Sequence, residues 1–181
     1  RHKEQRGIPR VDERLRKRGL ATVRMRTAFF VALAVMAVRV GLFYSGRSLE
    51  GPEFMFVHLL AMSVIAFFAG HALLGEDRNA TFPSLVKTSF SGCAVYALMM
   101  GVFIWTYYNA IDVVEFPSKI NERVAAVVAA GGNEVKARAE LTNVFNPFSY
   151  ASITFFGLLF AALGNALLFS AVHHKVLRRL R

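Results

Sequence analysis

Read for its alternation of apolar and polar positions, the chain divides into four long apolar runs, joined by two short polar stretches and one long one. The last run, Phe148 to Val172 (FSYASITFFGLLFAALGNALLFSAV), carries no charged side chain. A helix of that length and character can cross a hydrocarbon core of roughly 30 Å. The same criterion predicts spans over residues 27–44, 54–74, 85–108 and 148–172. The long polar stretch, about 113–146, has its own helical pattern. Pro117-Ser118 opens KINERVAAVVAA, Gly131-Gly132 ends it, Asn133 caps a second run, EVKARAELTNVF, and Asn146-Pro147 starts the fourth span. Ile120, Val124, Val127 and Val128 recur there at helical spacing, so one face must turn to the bundle, lipid or another subunit.

Composition supports a membrane class. The chain has 181 residues, 55% hydrophobic and 13% aromatic, too apolar for an ordinary soluble domain of this length. Its one cysteine, Cys93, lies inside an apolar run and excludes both an internal disulfide and a cysteine metal site. No resident cofactor or metal is expected. The chain opens on Arg1, and RHKEQRGIPR lacks the apolar core of a signal peptide, so the start is read as part of the mature protein.

A net charge of +10 raises nucleic acid as a partner, but the placement of the charge argues for a membrane surface. Of the 22 lysines and arginines, ten precede the first span, two (Arg78 and Lys87) lie between the second and third, and four follow the fourth. Basic residues collect in cytoplasmic segments, so both termini and the middle loop are expected inside and the helical hairpin outside. The fold expected is all-α: a polytopic protein of the bacterial inner membrane with four transmembrane helices and a periplasmic hairpin between the third and fourth. Residues 1–26 read as a basic cytoplasmic arm and 176–181 as a basic tail. In the arm, Arg14, Arg16, Lys17, Arg18, Arg24 and Arg26 suit anionic lipid headgroups or an acidic partner, and Gly19 is expected to interrupt any helix. No recognition motif for nucleic acid accompanies them.

Polar groups within the spans are few. Arg39 is expected to snorkel outward toward Tyr44 and the Glu50 or Glu53 loop, with a pair to Asp112 as the alternative. His58 and His71, thirteen residues apart, match the spacing of axial histidines in stacked-haem four-helix cytochromes, and His71 could share an inner haem with His173 or His174. The simpler expectation is that His58 satisfies a packing hydrogen bond. Asn165 is expected to bridge helices, toward Ser91 or Cys93. Small residues four apart mark close helix contacts: Ala37 with Gly41, Ala66 with Gly70, Ala97 with Gly101, and Gly157 with Ala161, followed by Gly164. No acidic residue lies in the middle of a span, and nothing assembles a nucleophile, an acid and a base, so no enzyme is expected.

The segment FPSLVKTSFSGCAVYALMMGVFIWTYYNAID, the hairpin after it, and FNPFSYASITFFGLLFAALGNALLFSAVHHK together resemble an uncharacterised bacterial membrane family, the domain of unknown function numbered four-one-nine-nine. The resemblance covers about Arg26 to Lys175 and rests most on Lys87, on Tyr107-Tyr108 and on the asparagine, proline and small-residue pattern of the fourth span. It implies four spans and no assigned activity. The role expected is a non-catalytic accessory or scaffold subunit of a larger membrane complex, contacting lipid and other membrane subunits. A small-solute transporter or channel would instead need a hydrated path lined by His58, Asn165 or Ser63, and a b-type haem protein would need His58, His71 and His173 as ligands.

Overall fold

The computed structural model describes residues 10–47 and 51–177, with side chains for 25–47 and 53–177, and among these residues it has six α-helices. They are α1 (Arg10–Tyr44), α2 (Gly51–Glu76), α3 (Phe82–Ala110), α4 (Glu115–Ala129), α5 (Glu134–Val144) and α6 (Pro147–Val172), which continues as a π-helical turn, His173–Leu177. No strand occurs among the described residues. Four stretches are long and apolar enough to cross a membrane: Met25–Tyr44, Glu53–Glu76, Phe82–Ala110 and Pro147–Leu177. The fold is therefore all-α with four candidate spans.

Local chemistry sets the helix ends. Pro83 stands in the first turn of α3, where its missing N–H would have had no partner. Asn133 accepts the backbone N–H of Lys136 at 2.9 Å, and Asn146 accepts that of Ser149 at 2.9 Å, so both asparagines cap as the sequence predicts. Gly131 takes φ +83° just after α4, a conformation that glycine adopts without strain.

Two sequence expectations change here. Gly19 does not interrupt the basic segment: one unbroken helix runs from Arg10 through Gly19 to Tyr44. A single glycine costs a helix only about 1 kcal/mol, which its good helix-forming neighbours offset. Arg26 is exposed, whereas residues 1–9 and 178–181 and the side chains of Arg14, Arg16, Lys17, Arg18 and Arg24 lie outside the described residues. The helix before the turn at Gly131 also starts earlier than predicted, at Glu115.

Helices α2 and α3 form the middle of the bundle. Each packs on the other, on α1 and on α6, and the most extensive contact runs between α3 and α6. The main core takes Ala28 and Ala32 from α1, Met62, Ile65 and Ala66 from α2, Cys93, Tyr96, Ala97 and Met100 from α3, and Ala162 from α6. Lipid offers no hydrophobic drive between helices, so the alanines contribute by letting backbones approach, and the larger side chains by the dispersion contacts that approach allows.

A second, aromatic cluster closes one end of the bundle with Ile104, Tyr107, Tyr108, Phe116 and Ala151. Helices α4 and α5 stand at this end and pack on each other through Ile120, Val124 and Ala137. Phe116, with its ring centroid 4.7 Å from that of Tyr108, and Phe145 link them to the bundle. At the opposite end, Leu74, Ala80 and Leu85 close the turn between α2 and α3, beside the π-helical turn of α6.

Candidate functional site

The most concentrated polar chemistry in the bundle surrounds Arg39. It lies on α1 near the aromatic end, and its Nη2 donates to the phenol oxygen of Tyr108 at 2.7 Å. The guanidinium carbon is 4.8 Å from the ring centre of Phe54 on α2, 4.9 Å from that of Tyr107 and 5.6 Å from that of Tyr108. Three aromatic faces and one phenol thus surround the cation, while its Nε is buried without a hydrogen-bond partner among the described residues. A guanidinium desolvated against aromatic rings gains about 2 kcal/mol or more from their quadrupoles, which offsets part of the cost of leaving water. Arg39 therefore turns inward onto α2 and α3. The expected reach toward Tyr44 is not observed, Tyr44 is exposed, and Glu50 of the expected loop lies outside the described residues. The signal that sequence reading missed is Tyr107-Tyr108 near the end of α3, which supplies a hydroxyl and two rings at the level of Arg39.

Beyond the end of α3, partial burial and the neighbouring Glu115 carboxylate raise the pKa of Asp112, more than the Glu115 backbone N–H and the more distant Arg39 lower it. Asp112 is thus an electrostatic neighbour of Arg39, and no ion pair between them forms within 4.0 Å. Glu115 itself is bridged to Lys119 at 2.6 Å.

Deeper in the bundle, His58 and Tyr96 are both buried, and Nδ1 of the imidazole lies 2.7 Å from the phenol oxygen. The packing hydrogen bond expected of His58 is present, with Tyr96 as its partner. Asn165 does bridge helices, but to α2 rather than α3: Ser63 Oγ donates to its Oδ1 at 2.9 Å, and its Nδ2 donates to the Ala161 carbonyl at 3.0 Å. On α3, Ser89 donates to the Ala66 carbonyl at 3.1 Å and the Cys93 thiol lies 3.4 Å from that of Met62. The middle of the bundle is therefore tied together by hydrogen bonds between side chains and from side chains to backbone.

The remaining histidines do not join His58. His71 is exposed and stacks on Phe67, whereas His173 is buried against the same ring, with its Nδ1 2.6 Å from the Phe169 carbonyl. His58 lies thirteen residues before His71 on α2, about 20 Å away at the helical rise. Among the described residues, no group of three or more His, Cys, Asp or Glu comes together as a metal site.

The small-residue pairs divide. Ala66 and Gly70 are buried, and a Cβ added at Gly70 would lie 3.0 Å from the His173 ring. Ala97 is buried, and a Cβ at Gly101 would lie 3.2 Å from Cβ of Phe155. By contrast, Ala37, Gly41, Gly157 and Gly164 are exposed, with nothing within 4 Å of an added Cβ at the three glycines. Ala161 is half-buried. The reason is rotational: α6 carries two small stripes, and the one turned inward is Ala151, Leu158, Ala162, Ala166 and Ser170. Comparison with protein-family models, with curated proteins and with solved structures finds no match to this chain.

Proposed function

We infer that this chain is a non-catalytic accessory or scaffold subunit of a larger complex in a bacterial inner membrane, oriented with its basic ends in the cytoplasm and α4–α5 outside. The observation that carries this reading is the state of α4 and α5. The pair buries Ile120, Val124 and Ala137 between its helices, but exposes Val127, Val128, Val135 and Val144. A short two-helix unit has too little core to hold itself firmly, and apolar side chains displayed outside a membrane span favour a covering surface. A partner subunit placed over α4–α5 would provide that cover. The exposed Ala37-Gly41 and Gly157-Gly164 faces would admit a neighbouring helix closely.

A solute path has less support. The groups it would need are already engaged, His58 with Tyr96 and Ser63 with Asn165.

Purification of the full chain in gentle detergent, followed by native mass measurement, tests the proposal. The expected result is a stoichiometric protein partner that Val128→Asp and Val135→Asp release while the helical content is kept. A chain that runs alone under every mild extraction would overturn it.

A further inference from the structure

Tyr108 is engaged on two sides at once. Its hydroxyl accepts a hydrogen bond from Arg39 at 2.7 Å, while its ring is flanked by Phe116 of α4 at 4.7 Å and by Tyr150 of α6 at 5.4 Å between centroids. Phe116 is buried in this seat, 5.9 Å from Tyr150, and among the described residues it is the one buried side chain that α4 and α5 contribute to the aromatic cluster. Those two helices otherwise pack chiefly on each other. Among the described residues no side-chain hydrogen bond or ion pair joins either of them to a spanning helix, and the linkers at residues 111–114 and 145–146 are short.

Arg39 is balanced between two settings. Turned inward, as observed, it lies against Phe54, Tyr107 and Tyr108, with its Nε buried without a hydrogen-bond partner and no carboxylate of the described residues in ion-pair range. Turned outward, its long stem carries the charge toward water at the end of α1 and gives up the rings. Desolvation opposes the first setting and loss of the ring contacts opposes the second, so the balance depends on the ring wall, whose Tyr108 part is covered by Phe116. We propose that α4–α5 act as a lever on α1: with Phe116 seated, Arg39 is held inward and α1 is tied to α3, and when Phe116 withdraws, water reaches Tyr108, Arg39 turns outward and α1 shifts in the bundle. The released form is a minor state, on the order of 1% of molecules.

The continuity of α1 carries this shift to the other end of the bundle. Of the four candidate spans it is the least buried, and its fully buried side chains are Ala28 and Ala32, which offer little relief for a neighbour to interlock with. It contains no proline and no π-helical turn to absorb a displacement, and it joins Arg39 to the basic segment from Arg10 in one helix. A contact that seats or unseats Phe116 is thereby felt at the basic end. The device belongs to the single chain and stands apart from the proposed accessory role.

The test places spin labels on the full chain in phosphatidylcholine nanodiscs, in a Cys93→Ser background, and reads distances by double electron–electron resonance. One pair, at the exposed positions Val135 and Ile153, reports α5 against α6; a second, at the exposed positions Arg26 and Arg78, reports α1 against the turn after α2, at the end away from α4–α5. Phe116→Ala is expected to move most molecules to a longer, broader distance in the first pair and to displace the second pair as well. Tyr108→Phe keeps the ring beside Phe116 and removes the hydroxyl, so it should displace the second pair and leave the first at its wild-type distance. Adding Phe116→Ala to Tyr108→Phe should then move the second pair no further. Leu158→Ala, in the main core outside the aromatic cluster, is expected to leave both pairs unchanged. Should Phe116→Ala lose helical content, Phe116→Leu should give the same pattern with a smaller released fraction. A second pair that keeps its wild-type distance while α4–α5 swing free, α4–α5 that stay in place without Phe116, or displacements that add in the double variant would each overturn the proposal.

Discussion

Arg39 and Tyr108 join α1 to α3 through a hydrogen bond of 2.7 Å from a guanidinium to a phenol, with Phe54 of α2 over the same cation at 4.8 Å. One side chain thereby touches three helices. Hydrogen bonds to charged groups contribute about 1.5–3 kcal/mol, so Tyr108→Phe is expected to destabilise the bundle by roughly that amount. A double-mutant cycle with Arg39→Met, read by denaturation in detergent, should give a coupling energy of at least about 1 kcal/mol. Additive effects would mean that the contact carries no stability.

Removing the hydroxyl opposite His58 leaves a buried imidazole nitrogen without its partner. Tyr96→Phe is expected to cost about 1–3 kcal/mol, and replacing both residues in His58→Phe/Tyr96→Phe should cost less than the two single losses combined. The same denaturation measurement decides this, and a neutral Tyr96→Phe would show that the bond is dispensable.

The link between α2 and α6 is partly rather than fully buried. Hydrogen bonds between membrane helices average about 0.6 kcal/mol, so Asn165→Ala is expected to lower stability modestly, with Ser63→Ala adding little in its presence. A loss above about 2 kcal/mol would point to a further role for Asn165.

Gly70 and Gly164 should respond in opposite directions to alanine. At Gly70 the new methyl meets the buried His173 ring at 3.0 Å, whereas at Gly164 it meets nothing within 4 Å. Gly70→Ala is expected to destabilise, because the ring must give way. Gly164→Ala is expected to be neutral or to gain up to about 1 kcal/mol from helix propensity. Thermal melts of the two variants side by side provide the comparison, and equal effects would contradict the assignment of the inward face of α6. If the exposed face instead binds a partner helix, Gly164→Ala should weaken that assembly while leaving the melting of the isolated chain unharmed.

Asp112 provides a pH dependence. Burial and Glu115 raise its pKa in the folded chain, so the folded state holds this proton more readily than the unfolded state does. Its contribution therefore favours folding below the ordinary carboxylate value of about 4 and is lost as pH rises through the raised folded value. Asp112→Asn keeps a side-chain oxygen for the Glu115 N–H and removes the charge. It should melt slightly higher than wild type at neutral pH, and the difference should disappear in acid. A neutral-pH melting temperature below that of wild type would show that the charge stabilises the fold.

Much of the architecture was legible because membrane spans are written in length and hydropathy. Caps such as Asn133 and Asn146, and the break at Gly131, were equally local and equally readable. The interior polar pairs were legible only by half. The sequence singles out His58 and Asn165 as groups that need partners, since a polar atom in an apolar run must bond to something. It could not name Tyr96 and Ser63, because partners on other helices depend on rotation and axial shift, which local pattern leaves open. The Arg39 setting was read as outward snorkelling for the same reason: the rings that hold it come from two other helices.

The order of apolar and polar residues by itself determined an all-helical chain with four candidate spans, the caps that end several helices, and the concentration of positive charge toward one side. These follow from hydropathy, backbone hydrogen bonding and local side chains, all of which act within a few residues. Only the tertiary structure decided that Ala162 and Ala166, rather than Gly157 and Gly164, face the core, and that Arg39 bonds Tyr108. A uniformly apolar helix has no intrinsic inward face. Its orientation is chosen by how its side chains fit those of its neighbours, and that fit exists only once all four helices are together.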